Sequence, residues 1–425
     1  MRKKRAAILY LLPCAALLWT QSVLAVDYKF SGYGTIGYAQ SDQSYNYQRY
    51  ISKSGTFMRD SVFGAQLDAK LNPEWSATVQ AKLAPSIVSD TSWTPSISWA
   101  FLSYRPSNSL LVRAGKLRMP FYLYAENMDV GATYSQARMP NELYSLAPTM
   151  DSTGATFVKT WDVGDNEINL DGYWGQATMP WRFYARDTAT PSWMSLSAIV
   201  KGVLLSLHRQ EDIYRLGVHT ADFTRNDGNP FYVNLTTNTL SPFSGMSGTY
   251  YTPPSASGKT GSISAPTINL GFDVGWARGF RTVGEYVRSA VQGMDIGPDT
   301  ESYYFTLMKE VDLWTPYVTY AQIKSKNLAV YQAVNGARVS SLGAPQSKVD
   351  GINAAQREAA DGMTMFDQHS WSLGVSYATD KNSKIKAEWM MVQTGVVSSL
   401  VDAPVGGESG NQRINVLSLS YSFMF

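Results

Sequence analysis

Apolar and polar residues alternate with a period of two, in short segments, from one end of this chain to the other. In the last segment, Arg413 to Phe425, the residues Leu417, Leu419, Tyr421, Phe423 and Phe425 fall on one face and Ser418, Ser420 and Ser422 on the other. Trp371, Leu373, Val375 and Tyr377 alternate in the same way with Ser372, Gly374 and Ser376, and Trp75, Ala77, Val79 and Ala81 with Ser76, Thr78 and Gln80. This spacing puts successive side chains on opposite faces of a strand. A face of aliphatic and aromatic groups backed by small hydroxyls suits a strand that touches lipid on one side and a wet lumen on the other.

Sixteen such strands can be placed, near 27–40, 57–70, 75–84, 95–105, 109–118, 151–162, 167–176, 195–208, 212–224, 265–278, 280–291, 300–311, 314–324, 368–379, 384–394 and 412–425. The connections after even-numbered strands are tight and carry turn residues, as in Asn72-Pro73, Ser107-Asn108, Gly164-Asp165 and Asp380-Lys381-Asn382. Those after odd-numbered strands are expected to be long, notably 225–264 and 325–367, where Ala354–Asp361 is rich in helix formers. An even count with short and long connections in turn is the layout of an all-β, antiparallel transmembrane barrel. After Ala25 no stretch of about 18 apolar residues occurs, so no segment reads as a spanning helix.

The first residues read as an address. Arg2, Lys3, Lys4 and Arg5 precede an apolar run from Ala6 to Trp19, and Val23-Leu24-Ala25 is a small-residue cleavage site. The expected organisation is a signal peptide over 1–25 and a single barrel domain over 26–425. Cleavage would remove Cys14, the one cysteine, and with it any disulfide or thiolate chemistry. It would also take four of the 36 basic residues and none of the 34 acidic ones. The remainder is close to neutral and gives no sign of a nucleic-acid partner.

The connection from Met119 to Met150 stands apart. It is too long for a turn and too apolar for a tether, with Phe121, Tyr122, Tyr124, Tyr134, Leu143 and Tyr144 asking for something to pack against. Sixteen-stranded barrels leave an aqueous lumen, and a loop of this kind folded into it would narrow the pore. Here the chain resembles the Gram-negative porins, whose third extracellular loop, after the fifth strand, folds inward as a constriction. The run Gly115-Lys116-Leu117-Arg118-Met119-Pro120-Phe121 is similar to one found in the phosphate-selective and related porins. Phosphate selectivity does not carry over, because no other loop holds a dense cluster of lysines or arginines.

Selectivity in a channel comes from pore width and from charges at close quarters. The expected constriction set is Lys116, Arg118, Glu126, Asp129, Arg138 and Glu142, with Asp151, Lys82 and Asp68 as neighbours. The resemblance implies passive diffusion of small hydrophilic solutes or ions, placement in the outer membrane among its lipid and lipopolysaccharide, and a homotrimer. It also implies recognition of Phe425 by barrel-assembly machinery. No cofactor, metal or catalytic residue is expected. The competing readings are a rim-located hydrolase, for which His208, His219 and His369 are the only histidines, and an adhesive or structural barrel whose long loops bind a partner.

Overall fold

The computed structural model describes residues 26–147 and 149–425, so the expected signal peptide, with Cys14, lies outside the described residues. Sixteen antiparallel strands form one closed barrel. In chain order they are β1 (Asp27–Ser41), β2 (Val62–Lys70), β3 (Trp75–Pro85), β4 (Trp93–Ser107), β5 (Leu110–Arg118), β6 (Asp151–Val163), β7 (Asn166–Ala185) and β8 (Thr190–Arg209). The other half comprises β9 (Asp212–Arg225), β10 (Ser262–Trp276), β11 (Phe280–Ser289), β12 (Thr300–Lys309), β13 (Trp314–Ser325), β14 (Phe366–Asp380), β15 (Ser383–Ser398) and β16 (Arg413–Met424). Each strand pairs with its neighbours in sequence, and β1 closes the ring by pairing with β16 from Tyr33↔Met424 to Ser41↔Val416. Closure pairs the backbone groups between strands all the way around, which a lipid environment demands.

The two faces differ as the alternation requires. Val203, Leu205, Val218, Ile268, Leu373, Trp389, Leu417 and Leu419 are exposed on the outside, whereas Thr267, Asn269, Ser302, Thr306, Ser370, Ser418 and Ser420 are buried on the inside. At the end carrying the short turns, Phe30, Trp75, Trp161, Tyr214, Trp276 and Trp314 are exposed and form an aromatic girdle. Gly164, at φ +61°, makes the tight turn between β6 and β7.

Two expectations about the long connections need correction. The sequence predicts strands 167–176 and 195–208 with a long loop between them. Instead β7 and β8 are 20 residues each and pair without interruption from Asn166↔Arg209 to Ala185↔Thr190. Pro180 and Pro191 look like breakers, but the upper half of this hairpin lies above the lipid-contacting zone, where lipid no longer imposes an alternation that could reveal it. The second correction concerns 225–264 and 325–367, which are not plain surface loops. Thr236–Leu240, Met246–Thr252 and Val339–Ser341 form a three-stranded sheet between them. The expected short helix at 354–361 is the end of α2 (Gln346–Asp361), and α1 (Leu328–Gly336) precedes it. Tyr331, Val334 and Ala360 pack together with Met363 and Met365 as a small core above the barrel wall.

Candidate functional site

Segment 119–147 leaves β5 and contacts the inner faces of distant strands. Tyr122, Leu143 and Tyr144 pack with Val283 and Val287 of β11, Tyr304 and Met308 of β12, and Tyr317 and Ala321 of β13. Polar anchors surround that contact. Glu285 accepts hydrogen bonds from the Leu123 backbone N–H at 2.7 Å, Tyr144 Oη at 2.5 Å and Tyr304 Oη at 2.9 Å. Tyr317 accepts from the Ala137 N–H at 2.8 Å and donates to Glu388 at 2.8 Å. Its ring lies over Gly374, where a Cβ would stand 2.3 Å from it, so glycine makes the room. Lys386 Nζ donates to the carbonyls of Gly131 and Gln136 at 2.6 and 2.9 Å and sits 4.0 Å from the centre of the Tyr134 ring. This lysine side chain is buried, and the two carbonyls and the ring face replace its water.

Four of the six expected site residues form ion pairs that tie this segment to the wall or to itself. Arg118 pairs with Asp129 and Asp151, each at 2.8 Å, and Lys82 reaches the same Asp129 oxygen at 2.9 Å. Arg138 grips Asp60 with two nitrogens, at 2.8 and 2.5 Å, and also donates to Ser418 Oγ at 3.2 Å. Glu126 is exposed and only 3.6 Å from Arg113.

The other two stand apart. Lys116 lines the lumen, and among the described residues no carboxylate pairs with it. Glu142 is completely buried and accepts from Gln368 at 2.8 Å, so it faces the wall rather than the lumen. Asp68 sits with Thr78 and Gln66 on the wall, away from the segment. Sequence reasoning missed Asp60 and Arg113. Their sole sequence signal is a charged residue beside or within a strand otherwise lined by small polar groups.

Burial pushes the Asp60 carboxyl up, but the Arg138 guanidinium, followed by Arg59, reverses this and holds it below the usual carboxylate value. Asp129 behaves alike: burial raises it, and Arg118 and then Lys82 bring it well below. A carboxyl depressed in the folded state contributes stability that is present above its unfolded value and is lost as pH falls through the folded one. The stability that these two pairs contribute to the detergent-solubilised protein is therefore expected to persist from neutral pH down to about 4 and to be lost only below that. A steady decline between about pH 7 and 5, followed by circular dichroism, would argue against these pairs being the titrating element.

Towards the open end, the segment borders a cavity of about 1220 Å³ that also reaches Arg49, Arg59, Arg182 and the inner faces of β6 to β10. Arg182, on β7, pairs with Asp402 and Asp90, each at 2.7 Å, and Arg49 pairs with Asp90 at 2.6 Å. Asp402 lies between β15 and β16, seven to eight strands from β7 in a ring of sixteen. This ion pair therefore joins opposite sides of the cylinder. Beyond it, Arg186 at the hairpin tip, 3% exposed at its side chain, binds Asp361 at 2.7 Å and Glu408 at 2.5 Å.

No protein-family model and no curated protein matches the chain. Solved structures do. The chain is similar to the anion-selective porin from Comamonas acidovorans, with a TM-score of 0.53 and 10% identity over 94% of this chain and all of that one. The chain has the porin fold. Pseudomonas putida OprB, in its high-pH structure, is similar at a TM-score of 0.51 and 8% identity over 94% of each chain. At such identities the likeness speaks for the porin barrel alone, and the charges of the lumen are this chain's own.

Proposed function

We propose that this chain is a porin of the Gram-negative outer membrane, a water-filled channel through which small hydrophilic solutes or ions diffuse passively. The observation that carries the reading is a closed cylinder, apolar and aromatic outside, whose inside holds a charged cavity of about 1220 Å³. In this reading segment 119–150 is the constriction. Arg118, Asp129 and Lys82 on one side and Arg138 with Asp60 on the other fix its position, and Lys116, Arg113 and Glu126 are the charges left for solute to meet. Chemistry on the solute is not part of the proposal. His219 is held by Tyr173 at 2.7 Å and Asn269 at 3.1 Å, neither of them a carboxylate that would serve a general base. Homotrimer assembly, lipopolysaccharide contact and recognition of the exposed Phe425 by barrel-assembly machinery belong to the same reading.

The test is reconstitution into planar bilayers with single-channel and reversal-potential recordings. Open, ohmic steps are expected from the wild type. A barrel that passes no current would instead fit the adhesive or structural reading. Arg118→Gln leaves Asp151 without its partner and is expected to move the reversal potential toward cations. Glu126→Gln removes an exposed acid and is expected to move it toward anions, by less, because its partner is 3.6 Å away and the group is wet. Unchanged ion preference in both variants would remove segment 119–150 from the selectivity of the channel.

A further inference from the structure

The lining of the wide cavity is lopsided in both charge and polarity. Eight basic and three acidic side chains border it. Most of the bases are neutralised, several by carboxylates just behind the surface: Arg49 and Arg182 by Asp90, Arg118 and Lys82 by Asp129, Arg138 by Asp60 and Arg225 by Asp227. Among the described residues, Arg59 and Lys116 are the two lining bases with no carboxylate in ion-pair reach. Arg59 is held by neutral acceptors, Nε on Gln48 Oε1 at 3.0 Å and Nη2 on Asn141 Oδ1 at 2.6 Å. Its sequence neighbour Asp60 is near enough to feel its charge, but both carboxylate oxygens are taken by Nε and Nη2 of Arg138. The turn that presents Gln48 is strained, with non-glycine φ values of +50° at Gln48 and +74° at Arg49.

The opposite wall is greasy. Met179 on β7, Met194 and Leu196 on β8, Phe223 on β9 and Ile263 on β10 line the same cavity, joined by Phe231 from the following connection. The lumen of a channel for hydrophilic solutes is ordinarily polar. Here β8 lies more than six strands around the ring from the β1–β2 connection that carries Arg59, so apolar wall and unpaired guanidinium face each other across the cylinder.

We infer that this cavity is a binding site for organic anions with an apolar body, such as aryl or short alkyl carboxylates, with Arg59 taking the anionic end and the Met179–Phe223 wall the apolar end. The inference rests on the channel reading and narrows it from small hydrophilic solutes to an amphiphilic subset. A guanidinium held by neutral amides is not neutralised by them, and with Nε and one Nη2 hydrogen engaged it keeps Nη1 and the second Nη2 hydrogen for a carboxylate. Methionine and phenylalanine side chains adapt to flat or flexible apolar bodies. No step beyond binding and release is implied.

The test uses the full chain in planar bilayers in potassium chloride, with phenylacetate, acetate and 2-phenylethanol as probes. Phenylacetate is expected to reduce the ionic current at a concentration about tenfold lower than acetate or 2-phenylethanol. Arg59→Gln and, separately, Phe223→Asn are each expected to abolish that difference, whereas Lys53→Gln, an exposed charge outside the cavity, leaves it in place. Heat-modifiable migration on electrophoresis shows whether each variant is folded. Equal block by phenylacetate and acetate in a conducting wild type overturns the inference and leaves the channel reading standing. A folded barrel that never conducts overturns both. Retention of the preference in folded Arg59→Gln and Phe223→Asn proteins overturns the site assignment.

Discussion

Replacing Arg138 by alanine is expected to detach segment 119–150 from the wall, lowering the heat-unfolding midpoint by several degrees and giving larger, noisier single-channel currents. Arg138 is the one side chain that binds the buried Asp60 in two places and also reaches Ser418. Removing Arg138 leaves the Asp60 carboxylate with only the more distant Arg59, a loss towards the low end of the about 3–5 kcal/mol that breaking a buried ion pair costs. The contacts of Lys386 and Tyr317 hold the backbone of Gln136 and Ala137 just before it, so the segment should loosen from residue 138 onward rather than unfold. Arg138→Lys should recover only part of the loss, because an ammonium meets one carboxylate oxygen where the planar fork meets two. Wild-type conductance and midpoint in Arg138→Ala would show that the apolar contacts alone hold the segment.

Arg182→Ala is expected to release the β7–β8 hairpin from the far side of the mouth. Asp90 keeps Arg49, but Asp402, 4% exposed at its side chain, loses both of the guanidinium bonds it accepts. A loss of about 3 kcal/mol shifts the balance between docked and detached hairpin by roughly a hundredfold. Two readouts follow. The conductance of the open level should rise, and trypsin should cut after Arg186, which the docked hairpin keeps buried. If neither changes, the hairpin does not cover the mouth.

The strands were legible because lipid contact imposes a strict period of two, and most of their ends fall within a few residues of expectation. Where lipid stops, so does the signal. The sequence starts the second strand at 57, whereas β2 begins at Val62, because Phe57 to Ser61 form the turn that delivers Arg59 and Asp60 to the lumen. The hairpin above Gln176 escaped for the related reason that both its faces meet protein or water. Lys82 and Asp151, expected as neighbours, do pair with Asp129 and Arg118, but other partners could not be read: Asp60 precedes Arg138 by 78 positions, and Lys386 follows Gly131 by 255. Such pairings follow from barrel closure and leave no local trace. Glu142 shows the limit most clearly, since nothing adjacent distinguishes a carboxylate bound for Gln368 from one facing water.

The pairing of Tyr33 with Met424 ties the order of assembly to the architecture. Strand β1 finds one neighbour at once, in β2, but its other neighbour, β16, is the latest of the sixteen strands to be made. Until that piece arrives, two rows of amide groups stand unmatched and can template wrong partners. Joining ends so far apart in sequence is also entropically slow. The polypeptide therefore cannot mature piecemeal as it leaves the ribosome. It has to be kept from premature association until the keystone segment is in hand, and a product without β16 would carry an open seam.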